Sequence, residues 1–169
     1  QSRMVSSEET PPVQRLIGGS DACGVLVALA DRVFLRSRSI SGSLAARYPM
    51  AFHPDEAIIY AVLGRDQTAI SMVCRRDFDL VTPAGTFLKG TMVGLVCTEP
   101  NARGRGHASH ILAEIEKDIR DDLRDFAVLW SRHHAFFEGL GWERADRSLF
   151  GQIDTNVSIG TQGRVSRGA

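Results

Sequence analysis

The sequence predicts a mixed α/β layer fold, with a mostly antiparallel central sheet flanked by helices. Three observations carry that expectation. Stretches 56–64, 68–80 and 86–99 are apolar or alternating and are separated by turn signals. Residues 111–123 repeat apolar side chains at a spacing of four. The segments follow one another as helix, strands, helix, strand, helix, strands, which is the order of a layered α/β domain.

Each element has its own reason. Asp21 stands where a helix N-cap belongs, followed by apolar Val25, Leu26, Leu29, Ala30, Val33 and Phe34. Pro49 and Pro54 bracket a loop. EAIIYAVLG (56–64) reads as a strand that ends in the turn Gly64-Arg65-Asp66, and TAISMVCRRDFDL (68–80) as its partner. The turn TPAG (82–85) leads into TFLKGTMVGLVCTE (86–99), a strand stopped by Pro100, which has no N–H for a sheet ladder. Ile111, Leu112, Ile115, Ile119 and Leu123 form one helical face, and Glu114, Glu116, Lys117, Asp118 and Arg120 fill the other. FAVLWS (126–131) is short and nearly all apolar, as a central strand is. HHAFFEGL (133–140) is a short helix stopped by Gly141, and WERADRSLFGQI (142–153) reads as a closing hairpin.

The 169 residues suffice for one domain, placed at 18–153. Residues 1–17 are expected as a flexible N-terminal tail, because the stretch up to Gln14 is polar with two prolines. Residues 154–169, rich in Gly, Ser, Thr and Arg without an aromatic, are expected as a C-terminal tail. The formal net charge is zero, which argues against a nucleic-acid partner held by general electrostatics. Cys23, Cys74 and Cys97 are odd in number and far apart, so they read as reduced thiols rather than a disulfide framework or a zinc site. With no signal peptide and no apolar run long enough to span a bilayer, a cytoplasmic location without a membrane partner is expected. The start at Gln1 instead of Met leaves open that the chain is part of a longer protein.

The segment NARGRGHASHIL (101–112) puts two arginines and two glycines immediately before a helix. The first N–H groups of a helix lack intrahelical partners, and the helix dipole adds attraction for an anion. Glycine lets the backbone approach a phosphate, and Arg103 and Arg105 can add charge-assisted hydrogen bonds. The loop therefore suits a diphosphate. It is not a Walker loop, since Gly-Lys-Ser/Thr is absent. It also fails the dinucleotide fingerprint at the third glycine, and Glu99 to Arg103 separate it from the strand.

Arg103-Gly104-Arg105-Gly106-His107-Ala108 resembles the Q/R-x-x-G-x-G/A signature of the GNAT (Gcn5-related) N-acetyltransferases, and FFEGLGWE (136–143) resembles their FYEKLGF element. The resemblance covers roughly residues 20–153. It implies a splayed sheet with acyl-CoA lying between the fourth and fifth strands. Residues 103–108 would then hold the pyrophosphate, Val96, Cys97 and Thr98 would pair with the pantetheine, and Phe137 would stand beside the cofactor. It further implies that the segment Arg36–His53 lines the pocket of the acceptor amine. The expected activity is transfer of an acetyl group from acetyl-CoA to a primary amine of a small molecule or peptide. No metal is called for, and a homodimer is left open.

The chain departs from the family where chemistry is concerned. Phe137 stands where many members have a proton-donating tyrosine, and Thr91-Met92-Val93-Gly94 offers no carboxylate early in the fourth strand. The candidates that remain are Glu99 at the strand end, His133 at the mouth of the fifth strand, and Ser131, which could instead cap the short helix. Cys97 reads as a small hydrophobe. His107, His110 and Glu114 share a helical face, but the loop is better used on phosphate than on a metal. Asp77 and Asp79 share one face of a strand and are expected in solvent. Two rival readings stand beside the enzyme: a non-catalytic acyl-CoA-binding module, favoured by the missing tyrosine, and a nucleotide-cofactor enzyme using the same loop.

Overall fold

The computed structural model describes residues 11–145, which fall into two compact units divided after Trp130. The first unit is built on a five-stranded sheet whose spatial order is the chain order: β1 (Val13–Ile17), β2 (Ala57–Leu63), β3 (Ala69–Val81), β4 (Phe87–Thr98) and β5 (Phe126–Leu129). β1 to β4 pair antiparallel, and β5 runs parallel to β4. Helix α1 (Cys23–Phe34) precedes β2, followed by the single turn α2 (Leu44–Arg47), and α3 (His107–Asp121) is the crossover from β4 to β5. Short 3₁₀ turns occupy Arg36–Arg38, Pro49–Phe52 and Pro100–Ala102.

Strand alternation distributes the core over two faces. Ile59, Ala61 and Leu63 of β2, with Met72 and Cys74 of β3, pack with Leu26, Leu29 and Ala30 of α1. The opposite face of β2 and β3 carries Tyr60 and Arg75, and Tyr60 meets Asp118 of α3. Ile111, Leu112, Ile115 and Ile119 of α3 are buried. Helices cover both faces, which is why β2 is an unbroken apolar run instead of an alternating one.

Several expectations need correction. Residues 13–17, read as the end of a tail, form β1: Val13 to Ile17 pair with Val62 to Ile58. Gln14 and Arg15 had made the segment look polar, but an edge strand needs few apolar side chains, and Arg15 reaches Asp118 at 3.5 Å. Asp21 does not cap α1, whose N-cap is Ala22 without any side-chain hydrogen bond. β5 is the last strand of the described sheet, and its four residues are only half-buried. The proposed loop between Pro49 and Pro54 begins as a 3₁₀ turn. Asp77 is not a free solvent-facing carboxylate but is tied to Arg75 and Thr91.

In the second unit, α4 (His134–Glu138) ends where Gly141, at a φ of +89°, donates to the carbonyl of Glu138. The expected hairpin over 142–153 falls largely on residues 146–153, and these, like the C-terminal tail, lie outside the described residues.

Candidate functional site

β4 changes register midway. Met72 faces Cys97 while Cys74 faces Gly94, so Leu95 and Val96 together oppose Val73. Leu95 takes up the extra residue at a φ of +48°, a β-bulge in a non-glycine residue. Pairing with β5 runs from Gly90 to Val93 and stops short of that bulge. Residues 94–98 of β4 consequently have β3 on one side and no strand on the other among the described residues. Glu99 donates its N–H to the carbonyl of Ile70, at 2.8 Å, on the β3 side. Alternation then turns the backbone groups of Val96 and Thr98 to the open edge. Arg103 Nε already uses that edge, donating to the Thr98 carbonyl at 3.2 Å.

The open edge leads into the glycine–arginine loop. Gly104 and Gly106 adopt left-handed φ values of +76° and +80°. A Cβ at either would meet nothing within 4 Å, so conformation and not crowding requires glycine there. The first bond of α3 runs from His110 N–H to the Gly106 carbonyl, at 2.9 Å. Among the described residues, the N–H groups of Gly104 through Ser109 have no acceptor in the protein. Six successive donors without an acceptor among the described residues, around two left-handed residues, stand at the positive end of a 15-residue helix, an arrangement that suits an anion. His107 opens that helix nine-tenths buried, and its Nδ1 is buried without a hydrogen-bond partner. Burial, aided by the Arg105 charge, lowers the His107 pKa below the ordinary imidazole value. Ala108 follows half-buried, and Arg105 is exposed.

A family model described as an acetyltransferase (GNAT) domain matches residues 22–145. The chain belongs to the GNAT acetyltransferase family. No curated protein matches its sequence. Its fold is that of GNAT structures at low identity. A variant of a Bacillus halodurans protein aligns with a TM-score of 0.66 and 13% identity, over 84% of this chain and 99% of that one. A predicted acetyltransferase with acetyl-CoA from Clostridium acetobutylicum aligns at 0.65 and 12%, over 85% and 95%. Glucosamine-6-phosphate N-acetyltransferase from Arabidopsis thaliana aligns at 0.63 and 13%, over 86% and 100%.

In this GNAT chain, the first unit brings Val96, Thr98, Arg103, Gly104, Arg105, Gly106, His107 and Ala108 into one continuous strand-edge and loop. Cys97 lies between two of these residues but faces the α1 core, and burial pushes its thiol up to about 12. Glu99 closes β4 and accepts from Arg32 of α1 at 2.9 Å, so its carboxylate is engaged. Among the described residues, no three His, Cys, Asp or Glu side chains are grouped to hold a metal, and His107, His110 and Glu114 are not such a group. Ser131, His133 and Phe137 belong to the second unit. Ser131 Oγ accepts the His133 N–H at 3.0 Å and so shapes the turn into α4. Phe137 packs edge-to-face on Phe136 and Trp142, with ring centroids 4.9 and 6.4 Å away.

The sequence reading missed the polar lock that fixes α3. Arg75, with its side chain wholly buried, donates to both oxygens of Asp77 (3.0 and 2.9 Å), to Asp122 (2.7 Å) and to the Tyr60 hydroxyl (3.3 Å). Thr91 donates to Asp77 at 2.8 Å, and Tyr60 to Asp118 at 2.6 Å. Burial alone would raise the Asp77 carboxyl, but hydrogen bonds from Arg75 and Thr91 outweigh it and hold the group below its usual range. Burial, then the hydrogen bond to Asp118, push Tyr60 up to about 12. The lock joins β2, β3 and β4 to the C-terminal half of α3, and thereby holds the helix whose other end carries the free amides. Its available signal was Arg75-x-Asp77 directly after the largely apolar stretch Ala69–Cys74.

Proposed function

We propose that the chain is an acetyl-CoA-dependent N-acetyltransferase that acts on a primary amine of a small molecule or peptide. The observation that carries this reading is the run of six unpartnered amides at Gly104–Ser109, continuous with the open edge of β4. A pyrophosphate fits such a run, and an extended pantetheine fits a strand edge. The buried, unpartnered Nδ1 of His107 also calls for a polar partner. When bound, acetyl-CoA supplies the activated acyl thioester. Gly104, Arg105, Gly106, His107 and Ala108 would hold the pyrophosphate with Arg103, and Val96 and Thr98 the pantetheine. The family membership supports acyl transfer.

Proton transfer falls to Glu99, His133 and Ser131 in this reading. Phe137 has no proton to give, and the absence of a general acid slows an enzyme by roughly 10²–10⁴-fold. A thiolate whose conjugate acid has a pKa near ~8.5 still leaves without one. Turnover is therefore slow, and it rises with pH as the acceptor amine loses its proton. Phe137 also favours a second reading, a non-catalytic acyl-CoA-binding module. Release of CoA thiol is measured with a panel of amines against acetyl-CoA alone, in wild type, Glu99→Gln and His133→Ala, across pH 6–9. Amine-dependent release establishes the enzyme. No release above hydrolysis, with acetyl-CoA still bound, leaves the binding module.

A further inference from the structure

The β3–β4 ribbon outruns the sheet. β2 pairs with β3 no further than Arg76, and β5 pairs with β4 no further than Gly90. Beyond those points Asp79, Leu80 and Val81 face Lys89, Leu88 and Phe87, with no third strand beside them among the described residues. Side chains alternate along a strand, so Leu80 and Leu88 share one face and Val81 and Phe87 the other. A ribbon with water on both faces is expected to be polar on both. This one is apolar on both, and Leu80, Val81 and Phe87 are 44%, 54% and 77% exposed. Apolar side chains on two faces belong to a strand that is covered, and two strands alone are marginal in water.

The ribbon also has an open edge, on β3. Thr82 donates its N–H to the Thr86 carbonyl at 2.9 Å, so its backbone groups point at β4. Alternation turns those of Phe78 and Leu80 to β4 as well, and those of Asp79 and Val81 away from it. The N–H groups of Asp79 and Val81 have no acceptor among the described residues. The β4 edge is partly closed. Asp125 accepts the Lys89 N–H on its carboxylate at 2.7 Å and donates its own N–H to the Lys89 carbonyl at 2.8 Å. A further strand can therefore add on the β3 side.

That edge is complementary to itself. Two copies related by a two-fold axis normal to the sheet pair antiparallel, and the residue on the axis faces its own copy. With Asp79 on the axis, two carboxylates would stand opposed, which is destabilising. With Val81 on the axis, Asp79 would meet Pro83, which has no N–H to give. With Leu80 on the axis, Asp79 of each copy faces Val81 of the other, and each copy donates two hydrogen bonds and accepts two. The same register sets Leu88, Leu80 and the partner's Leu80 and Leu88 in one row across the joined sheet. Asp79 keeps Arg124 at 3.9 Å, so its carboxylate is not enclosed without a cation.

We propose that the chain forms a two-fold dimer by antiparallel pairing of the β3 edges at Asp79–Val81, with Leu80 on the axis. The acetyltransferase reading has no part in it. Sedimentation of the full chain, up to about 1 mM, should show a mass rising toward twice 18.5 kDa. Val81→Pro removes an N–H that the single chain does not use, and Leu80→Lys sets two ammonium groups across the axis. Each should raise the dissociation constant at least about tenfold, with the far-ultraviolet circular dichroism of the fold retained.

Cysteine cross-linking reads the register, since Cys23, Cys74 and Cys97 are all buried. Across the axis, two cysteines at 80 lie within disulfide reach, whereas two at 79 or two at 81 are about 8 Å apart and beyond it. Under a mild oxidant, Leu80→Cys should form an intermolecular disulfide at least about tenfold faster than Asp79→Cys or Val81→Cys. Faster cross-linking at 80 upholds the register even if Leu80→Lys fails to fold. Three results overturn the proposal: a wild type still monomeric at about 1 mM, which would leave the ribbon to a different protein; a dimer that survives both Val81→Pro and Leu80→Lys; or equal cross-linking at the three positions.

Discussion

Replacing Arg75 by Met tests whether the polar lock beneath α3 holds the molecule together. The side chain is wholly buried, so the substitution keeps most of the apolar stem and removes only the guanidinium. Four donations disappear: two to Asp77, one to Asp122 and one to Tyr60. Asp77 is then left with Thr91 at 2.8 Å and Arg124 at 3.9 Å. Breaking a buried pair by removing one partner costs about 3–5 kcal/mol. Asp77 and Asp122 keep 32% and 43% of their side-chain surface in water, which recovers part of that, so about 2–4 kcal/mol is expected. At roughly 2–4 °C per kcal/mol for a chain of this size, Tm should fall by about 4–16 °C. Thermal and urea unfolding followed by circular dichroism read the loss. The acid limb gives a second readout. Asp77 has a lowered folded pKa, so its contribution is present above the ordinary value of 3.8 and disappears as pH falls through the lower folded value. In Arg75→Met that acid-linked loss should shrink. A Tm within about 1 °C of wild type, with an unchanged acid limb, would refute the lock.

Other outcomes follow from the same geometry. Gly90→Ala would put a Cβ 2.4 Å from Phe78 Cζ and 2.8 Å from Phe126 Cζ, so urea unfolding should show a loss of about 1–3 kcal/mol, and no loss would contradict that packing. His107 has a folded pKa lowered by burial, so stability is complete above 6.5 and declines as pH falls below it. His107→Asn should flatten the stability profile below pH 6.5, and an identical profile would count against the buried imidazole. Phe137→Tyr should raise kcat by supplying a proton donor, by up to about 10²-fold, and an unchanged kcat would mean that this position does not face the leaving group.

Much of this architecture was legible in the sequence, and the failures share a cause. The spacing of Ile111, Ile115 and Ile119 specified α3, and the alternation through 68–99 specified the β3–β4 ribbon, because both patterns are local. The loop at Gly104 and Gly106 was readable because only glycine is at ease at their φ values. β1 was not, since Gln14 and Arg15 become strand residues only by pairing with β2, a partner more than forty residues away. The bulge at Leu95 was equally hidden: nothing in that leucine announces a φ of +48°. Asp77 read as exposed charge, because its engagement depends on Arg75, which is itself buried only with Asp122 arriving from α3. Glu99 looked like a free carboxylate for the same reason, its partner Arg32 being 67 residues away.

The central claim is that the amides of Gly104–Ser109 hold the diphosphate of an acyl-CoA, and titration calorimetry with acetyl-CoA tests it most directly. Wild type should bind at micromolar affinity, on the order of −8 kcal/mol. Gly106→Val has open space for its side chain but a φ of +80° that a β-branched residue resists, so the loop must reshape and its donors disperse. Affinity should fall at least about tenfold, with Tm close to that of wild type and no binding of NAD by either protein. Equal affinity in the variant, or a preference for NAD over acetyl-CoA, would contradict the account.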